Sequence, residues 1–535
     1  MPPAYRRTVI RNCYFDDSHE AYWASIGYHG KDKSRMRNES VTRYGKAMMQ
    51  PPALANPVIP GFHPDPSICK AGEDYYLACS SFEYFPGVPI FRSRDLRRWE
   101  QVGNALERPS QLVLPESVPR SGGIFAPTLR HHDGRFYLVT TNFWSGGNLL
   151  FTADKAEGPW SEPVVIGWQL RYDPDLAWDS DGTCYLTVAG IEQARIDTTT
   201  GALLDEPRPL WSGTLGYPEA PHLYEIGGTW YLMIAEGGTE RGHCVSVARG
   251  ASPRGPFAPC PANPILTHRS TTDPVQNTGH GDLVKAHDGS WRLVFLGVRP
   301  KGSSPGYHVL GRETFLAPVT WEDGWPVVGE ITDGPAWTEP VREDFDSPQL
   351  HPRWISVRSR PPLSLTDSRL VLRRADEDVD EDIMDSRLPS FVGRRQQHPH
   401  VRVRTRIEGT GGLVVRMDER HHYDVEARDR MVRAQARIGG LRQVIGQQPC
   451  PPGPVVLRLE VRPPDLAKLT DPVTLGPDRI LLGFEQGGEF TALAELDGRY
   501  LSTEVTGGFT GRVIGVYAAA GTASFDWFDY EVLPG

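Results

Sequence analysis

A turn followed by an aromatic-rich strand recurs five times between about residue 55 and residue 335 of this chain. The copies are GEDYYL at 72–77, DGRFYL at 133–138, DGTCYL at 181–186, GGTWYL at 227–232 and DGSWRL at 288–293. They are about 45 to 60 residues apart, and the intervening residues also read as short strands and turns. The 55 glycines and 48 prolines favour the same structure over long helices. The repeat therefore predicts a five-bladed β-propeller.

A second set of segments lies about ten residues upstream of each repeat, and these segments align without gaps. They are DPSI at 65–68, APTL at 126–129, DPDL at 173–176, APHL at 220–223 and HGDL at 280–283. In a propeller the strand before the repeated one is the innermost strand of its blade, so all five converge on the axis. The leading residues of these segments should therefore share one axial pocket, which brings together Asp65, Asp173 and Glu219.

Three carboxyl groups in one pocket cannot all ionise alike. Repulsion between like charges and desolvation raise the pKa of at least one of them, so that one stays protonated near neutral pH. A protonated carboxyl beside an ionised one is what cleavage of a glycosidic bond requires. Aromatic residues such as Phe82, Phe125 and Trp144 suit the apolar faces of a sugar ring. An Asp or Glu at the start of a blade more often only caps a turn, but that explanation fits poorly for three carboxyl groups at equivalent positions.

The pattern changes after residue 338. Alternating strands such as VRVRTRI at 401–407 and VVLRLEV at 455–461, joined by glycine-rich turns, predict an antiparallel β-sandwich. We therefore expect an all-β protein with a catalytic propeller at 53–338 and a sandwich at 339–535. Residues 1–52 are polar and lack periodicity, and we expect them to be a disordered extension.

Six motifs resemble those of glycoside hydrolase family 43, in its β-xylosidase and α-L-arabinofuranosidase branch. They are NPVIPGFHPDPSI at 56–68, SSFEYFPGVP at 80–89, GGIFAPT at 122–128, PEAPHLY at 218–224, GHGDLV at 279–284 and GRETF at 311–315. Each is weak alone, and together they are specific. The resemblance covers residues 56–535 and implies a concanavalin A-like jelly roll for the C-terminal sandwich.

The resemblance also implies an inverting mechanism with a role for each residue. Asp65 matches the general base that activates water, and Glu219 matches the general acid that protonates the leaving oxygen. Asp173 matches a third carboxylate, which orients the acid and keeps its pKa high. The matching substrate-binding residues are Phe82, Phe125, Arg312, His280 and Phe509.

Two features bear on specificity. Family members usually have Gly where this chain has Ala220, and often a Trp or Tyr where it has Phe125. The segment GFTG at 508–511 resembles a loop of the sandwich that reaches over the propeller and narrows its mouth. A narrowed mouth admits only a chain end, so we expect exo-action.

Composition limits the other possibilities. A net charge of −10 argues against nucleic acid and anionic membranes as partners. The seven cysteines are scattered and lack CxxC spacing, so we expect free thiols and no zinc site. No apolar stretch follows Arg6-Arg7 and no run reaches the roughly 18 apolar residues of a membrane helix, so we expect a cytoplasmic protein. No cofactor is expected; the resemblance leaves room for a Ca²⁺ ion near His280, without support from the sequence. Homo-oligomerisation is left open, and the expected partner is an oligosaccharide substrate.

The sequence thus predicts an exo-acting β-xylosidase with accompanying α-L-arabinofuranosidase activity on xylo-oligosaccharides or arabinoxylan fragments. A predominantly arabinofuranose-releasing enzyme is the first alternative. Related five-bladed fructan and sucrose hydrolases carry an Asn-Asp-Pro-Asn-Gly type motif and a Glu-Cys pair, and this chain has neither. A non-catalytic carbohydrate-binding propeller is the alternative from another class, and it would not need the three carboxyl groups.

Overall fold

The structure is a computed structural model that describes residues 56–144, 146–168, 171–332, 341–374, 386–450, 452–468 and 475–534. The predicted N-terminal extension at 1–52 and the predicted domain boundary at 338 lie outside these ranges. Within them, the regular secondary structure is nearly all β-strand. No helix in the described part of the chain is long and apolar enough to cross a membrane.

Five four-stranded antiparallel sheets form the blades of a β-propeller, as the repeat predicted. Blades 1 and 2 contain β1 (Ser67–Ala71), β2 (Asp74–Ala78), β4 (Gly87–Ser93) and β5 (Glu100–Leu106), then β6 (Ile124–His132), β7 (Arg135–Asn142), β8 (Gly147–Ala153) and β9 (Val164–Val165); the short strand β3 (Tyr84–Phe85) lies outside blade 1. Blades 3 and 4 contain β10 (Asp175–Trp178), β11 (Cys184–Val188), β12 (Glu192–Arg195) and β13 (Arg208–Pro209), then β14 (Glu219–Ile226), β15 (Thr229–Glu236), β16 (Cys244–Gly250) and β17 (Ala258–Pro259). Blade 5 contains β18 (Gln276–Lys285), β19 (Trp291–Val298), β20 (Glu313–Glu322) and β21 (Trp325–Val328). Each aromatic repeat is the second strand of its blade.

The innermost strands β1, β6, β10, β14 and β18 contact one another in ring order, and β18 contacts β1 to close the circle. The segment before blade 1 reinforces this closure, because Val58 N and Ile59 N both donate to Thr314 O on β20 of blade 5. Apolar side chains pack between neighbouring blades; for example, Leu138 and Phe151 of blade 2 share one cluster with Ile90 of blade 1. Most hydrophobic burial of the propeller lies between its sheets, which leaves the axis free for polar groups.

The C-terminal domain is a concanavalin A-like β-sandwich. Its strands are β22 (Val341–Glu343), β23 (Ser356–Val357), β24 (Leu363–Leu365), β25 (Leu370–Arg373), β26 (Phe391–Arg395), β27 (Val401–Asp418), β28 (His421–Arg428), β29 (Met431–Ile438), β30 (Leu441–Pro449), β31 (Val455–Arg462), β32 (Arg479–Gln486), β33 (Glu489–Asp497) and β34 (Val513–Val532). Short helical segments occur at Leu466–Lys468, Gly498–Leu501 and Thr503–Thr506.

The long strands β27 and β34 pass through both layers of the sandwich. The first half of β27 pairs with β31 and the second half with β28, and the change coincides with irregular register around Gly409 and Thr410. A bend at such an irregularity lets one strand serve two packed layers. The alternating residues that predicted these strands, such as Val401, Val403 and Leu457, are fully buried between the layers.

Candidate active site

A cavity of about 540 Å³ lies at the axial end where the innermost strands of the propeller begin. All eight residues predicted to form the site line it: Asp65, Asp173, Glu219, Phe82, Phe125, Arg312, His280 and Phe509. The first seven belong to the propeller and the last to the sandwich. The structure therefore brings all eight residues together in one cavity, and the role of each residue stays a prediction.

Backbone conformation aims these side chains. Asp65, Asp173, Ala220 and His280 occupy the same position of the aligned segments, and each has a φ between +49° and +55°. Such left-handed conformations are costly for residues with a Cβ and are concentrated at functional sites. In a regular strand, adjacent side chains point to opposite faces. The irregular register between Glu219 and His222 lets Glu219, one position earlier than the aligned aspartates, face the same cavity.

Asp65 is held as a carboxylate. Arg312 donates from Nη1 to Asp65 Oδ1 at 3.0 Å, and Ser80 donates from Oγ to Asp65 Oδ2 at 2.5 Å. Burial alone would raise the pKa of Asp65, but the charge on Arg312 and the other neighbouring groups outweigh it and hold the pKa below its usual value. His280 lies with Nδ1 3.5 Å from Asp65 Oδ1. Because burial lowers the pKa of His280 to about 3, this imidazole is neutral at physiological pH.

The pKa values of the other two carboxyl groups, Glu219 and Asp173, are raised, which favours their protonated forms. Burial and the negative charge of Asp65 raise the pKa of Glu219 to about 7. Burial and repulsion from Glu219 and Asp65 place the pKa of Asp173 well above its usual value. Asp173 Oδ2 accepts a hydrogen bond from Ala220 N at 3.0 Å, which ties it to the backbone directly after Glu219. One cavity thus contains an ionised carboxylate and two carboxyls that keep a proton at higher pH.

Aromatic rings form one wall of the cavity. Phe82 stacks on Phe509 at 5.8 Å and meets Phe125 edge-on at 5.5 Å, and Phe125 contacts Phe143 at 5.4 Å. Sequence reasoning proposed Trp144 for this wall, but it is 48% exposed, and its neighbour Phe143 lines the cavity instead. The Phe143-Trp144 pair at the end of β7 was a usable signal; strand alternation alone could not decide which ring points inward.

Further cavity residues were not predicted, among them Thr239, His243 and Tyr217. Thr239 Oγ1 accepts a hydrogen bond at 3.0 Å from Arg312 Nη1, the same nitrogen that donates to Asp65, and so helps to fix the guanidinium. His243 is buried, and its Nδ1 lies 3.0 Å from the carbonyl oxygen of Asn277. These residues lie outside the aligned segments, so the repeat could not reveal them.

A buried ionic network beneath the cavity ties the innermost strands together. Arg130 of β6 donates to Asp175 Oδ1 at 2.7 Å and to Asp282 Oδ2 at 2.8 Å. Asp282 also accepts from Ser67 Oγ at 2.9 Å, and His222 Nδ1 lies 2.8 Å from Arg130 Nη2. Ser67, Asp175, His222 and Asp282 each follow, by two positions, one of the residues with a positive φ, and Arg130 lies on β6, the innermost strand of blade 2. The network therefore supports the backbone that presents the carboxyl groups above it.

No set of three or more His, Cys, Asp or Glu side chains suited to a metal ion occurs within the described ranges. Around His280 the nearest carboxylate, Asp65, is already engaged by Arg312 and Ser80. The residues present near His280 therefore do not form the oxygen-rich cage that Ca²⁺ prefers, and we assign no step to a metal.

Two protein-family models match successive parts of the chain, one over the propeller and one over the sandwich. The family model described as glycosyl hydrolases family 43 matches residues 54–326. A second model, the beta xylosidase C-terminal concanavalin A-like domain, matches residues 342–531.

Curated relatives match over most of their length. A non-reducing end α-L-arabinofuranosidase of Bacteroides ovatus is 38% identical over 518 residues, which covers 89% of this chain and 94% of the relative. A xylosidase/arabinosidase of Butyrivibrio fibrisolvens is 37% identical and covers 89% and 98%. Among solved structures, a xylan β-1,4-xylosidase from Bacillus halodurans has a TM-score of 0.78 at 32% identity, with 89% of this chain and 100% of that chain covered.

Proposed function

The chain belongs to glycosyl hydrolase family 43, and we propose that it is an exo-acting glycosidase that releases terminal xylose and arabinofuranose from xylo-oligosaccharides or arabinoxylan fragments. The observation that carries this proposal is the pairing of an ionised Asp65 with a Glu219 whose pKa is raised to about 7 in one aromatic-walled cavity. Relatives named for xylosidase and for arabinofuranosidase activity support both sugars.

In the proposed mechanism Asp65 removes a proton from a water molecule, which attacks the anomeric carbon of the terminal sugar. Glu219 gives its proton to the glycosidic oxygen as the bond to the leaving group breaks. The attack occurs on the face opposite the leaving group and inverts the anomeric configuration. Asp173 holds the backbone after Glu219 through Ala220 N and so keeps the acid in place.

Arg312 is placed to bind a sugar hydroxyl. Its guanidinium is fixed by Asp65 and Thr239, and its Nε is buried without a hydrogen-bond partner in the described part of the chain. The carbon of the guanidinium lies 5.2 Å from the centre of the Phe509 ring. A hydroxyl that enters between the arginine and the aromatic wall would give that donor a partner.

Exo-action follows from the way the sandwich covers the cavity. Phe509 N donates to Ser121 Oγ at 2.9 Å, which fixes the loop at 508–511 against the propeller. A Cβ at Gly508 would lie 2.5 Å from Ser121 Oγ, and one at Gly511 only 2.3 Å from Leu310 O. Both glycines are therefore needed for the close approach. An occupied rim on this side favours entry of a chain end over a continuous polymer.

The test is hydrolysis of p-nitrophenyl β-D-xyloside and p-nitrophenyl α-L-arabinofuranoside by the wild type, Asp65→Ala and Glu219→Ala. We expect both variants to lose about 10²- to 10⁴-fold in kcat/KM, as for removal of an acid or base. Glu225→Gln is a matched control, because Glu225 lies on the same strand as Glu219 but is exposed. Full activity in either alanine variant contradicts the assignment, and sugar binding without turnover by the wild type would favour the non-catalytic propeller.

The stereochemistry provides an independent test. NMR of the first-formed sugar should show the inverted anomer; the retained anomer would remove Asp65 from the role of base. The ratio of the two aryl glycosidase activities decides between a dual enzyme and a predominantly arabinofuranose-releasing one.

A further inference from the structure

A second cavity, of about 550 Å³, lies between the first blade of the propeller and the sandwich. On the propeller side it is lined by Phe91 and Trp99; on the sandwich side it is lined by Arg353, Arg394 and Arg395. We refer to this space as the arginine cavity. It shares no lining residue with the candidate active site.

The charge of the arginine cavity is strongly unbalanced. Its described lining contains seven arginines and one carboxylate, Glu100. Arginines at the rim have partners: Arg92 lies 3.4 Å from Glu100, and Arg94 lies 3.1 Å from Asp74. The excess positive charge therefore belongs to the interior of the cavity, where it is shielded least by water.

Among the residues that the structure describes, the two interior arginines on β26 have no carboxylate partner. Arg394 and Arg395 are each 3% exposed. Arg394 donates a 2.5 Å hydrogen bond to Gln397, and its guanidinium carbon lies 4.1 Å from the centre of the Tyr530 ring. Its Nε and Nη1 have no hydrogen-bond partner within the described ranges. Arg395 packs 4.5 Å from the ring centre of Phe62, and its Nε and Nη2 are likewise without a partner among the described residues.

Two other arginines of the interior, Arg130 and Arg512, do have carboxylate partners. Arg130 is held by two aspartates, and Arg512 makes two hydrogen bonds to Asp478, at 2.7 and 3.0 Å. Those neighbours raise the pKa of Arg130, whereas burial lowers the pKa of Arg394 and of Arg395 to about 10. A buried charge without a counter-charge is strongly unfavourable. An anion bound in the cavity would supply the missing counter-charge to Arg394 and Arg395, which both line it.

We propose that the arginine cavity binds a small molecule that carries a phosphate group. A phosphate dianion has enough charge and acceptor oxygens to engage more than one guanidinium, which a single carboxylate lacks. A volume of about 550 Å³ exceeds the needs of one phosphate and falls in the range of small-molecule sites. The rings of Phe91 and Trp99 offer an apolar surface for the remainder of a phosphate ester, such as a sugar.

The position of the site gives binding a structural consequence. The arginine cavity also includes His63, two residues before Asp65, and the His63 ring packs edge-on against Phe91 at 5.1 Å. A ligand that contacts both domains binds the folded, docked state and not the unfolded chain. Occupancy should therefore raise the thermal stability of the whole protein by mass action.

Isothermal titration calorimetry and thermal unfolding of the full chain test the site. The probes are inorganic phosphate and glucose 6-phosphate, compared with sodium chloride at equal ionic strength. The variants are Arg394→Gln/Arg395→Gln and the milder Arg353→Gln; Arg135→Gln, an exposed arginine of blade 2, is the matched control. Free phosphate and a phosphate ester are distinguished by which probe binds more tightly.

We expect the wild type and Arg135→Gln to bind at least one probe with a Kd below about 1 mM. Their Tm should rise by about 2 °C or more at a large excess of that probe. The double variant should bind at least tenfold more weakly and lose the shift. If the double variant fails to fold, a tenfold weaker Kd in Arg353→Gln is the supporting result. The proposal is overturned if neither probe binds the wild type, as when an acidic group of the chain itself balances the charge, or if the arginine variants bind as tightly as the wild type.

Discussion

The carboxyl groups of Asp65, Asp173 and Glu219 in the axial cavity differ in charge because their neighbours differ. Arg312 and Ser80 both donate hydrogen bonds to Asp65, so the ionised form of Asp65 is favoured despite burial. For Glu219 and Asp173, burial and repulsion from neighbouring carboxylates outweigh the charge of Arg312 and favour the proton. The acid and the base of the proposed reaction are thus distinguished by one arginine and one serine, and not by residue type.

The pH dependence of catalysis should reflect Glu219. Its pKa of about 7 means that kcat/KM falls as pH rises through about 7, since the acid loses its proton. The acid limb belongs to Asp65 and lies below the usual pKa range of an aspartate. In Glu219→Ala, hydrolysis of 2,4-dinitrophenyl β-D-xyloside, whose leaving group needs no proton, should lose the alkaline limb. An alkaline limb with an unchanged midpoint in this variant would contradict the assignment.

Asp173 should make the protein less stable as the pH rises. Its folded-state pKa lies above the unfolded value, so between the two the folded state holds one more proton, and stability falls by about 1.4 kcal/mol per pH unit. Asp173→Asn removes this group while keeping an oxygen for Ala220 N. Urea unfolding from pH 5 to pH 8 should show the variant gaining on the wild type as pH rises, with reduced activity. A pH-independent difference would show that Asp173 has an ordinary pKa.

At the level of elements, the active site depends on a loop that the catalytic domain does not contain. The loop at 508–511 follows the helical turn Thr503–Thr506, and Glu504 of that turn is anchored to blade 5 by His308 N at 2.9 Å. Phe509 then completes the aromatic wall between Phe82 and Arg312. The sandwich is therefore part of the site and not an appended module.

Replacing the ring of Phe509 should weaken catalysis without unfolding the protein. Phe509→Ala should lower kcat/KM on p-nitrophenyl β-D-xyloside by about 10- to 100-fold, because the sugar and Arg312 lose their wall. Phe509→Leu keeps an apolar surface, so its kcat/KM should lie between those of Phe509→Ala and the wild type. Steady-state kinetics with circular dichroism as a check on folding decide this. Equal activity in all three proteins would exclude Phe509 from the substrate site.

At the level of the whole molecule, propeller and sandwich share a hydrophobic core cluster. Phe62 and Tyr84 of the propeller are buried with sandwich residues that include Phe391, Val513 and Tyr517. Strand β3 of the propeller pairs with β23 of the sandwich, and Arg416 donates to the hydroxyl of Tyr84 at 2.8 Å. An apolar, hydrogen-bonded contact of this kind opposes independent domain motion.

The two domains should unfold in one calorimetric transition. Tyr84→Ala should cost about 3–5 kcal/mol by analogy with other large-to-small core changes, and should split the transition in two. Tyr84→Phe removes only the hydroxyl contact with the buried Arg416, so a loss of about 1.5–3 kcal/mol, as for a hydrogen bond to a charged group, and a single transition are expected. Two transitions in the wild type would mean that the shared cluster does not couple the domains.

The sequence determined the architecture and the composition of the site. Repeated turns and aromatic strands set five blades, because local patterns decide strand and turn wherever each blade packs like its neighbours. The aligned leading segments located Asp65, Asp173 and Glu219, since equivalent positions of the innermost strands meet at one axis. The family resemblance added Arg312 and Phe509, which lie outside those segments.

Tertiary structure alone decided the electrostatics and the cross-domain contacts. Whether Asp65 or Glu219 keeps a proton depends on Arg312, which is 247 residues from Asp65 along the chain. The choice of Phe143 over Trp144, the positions of Thr239 and His243, and the charge of the arginine cavity likewise arise where distant segments meet. Local sequence sets backbone conformation, but burial and Coulombic interactions depend on which groups the completed fold brings within a few ångströms.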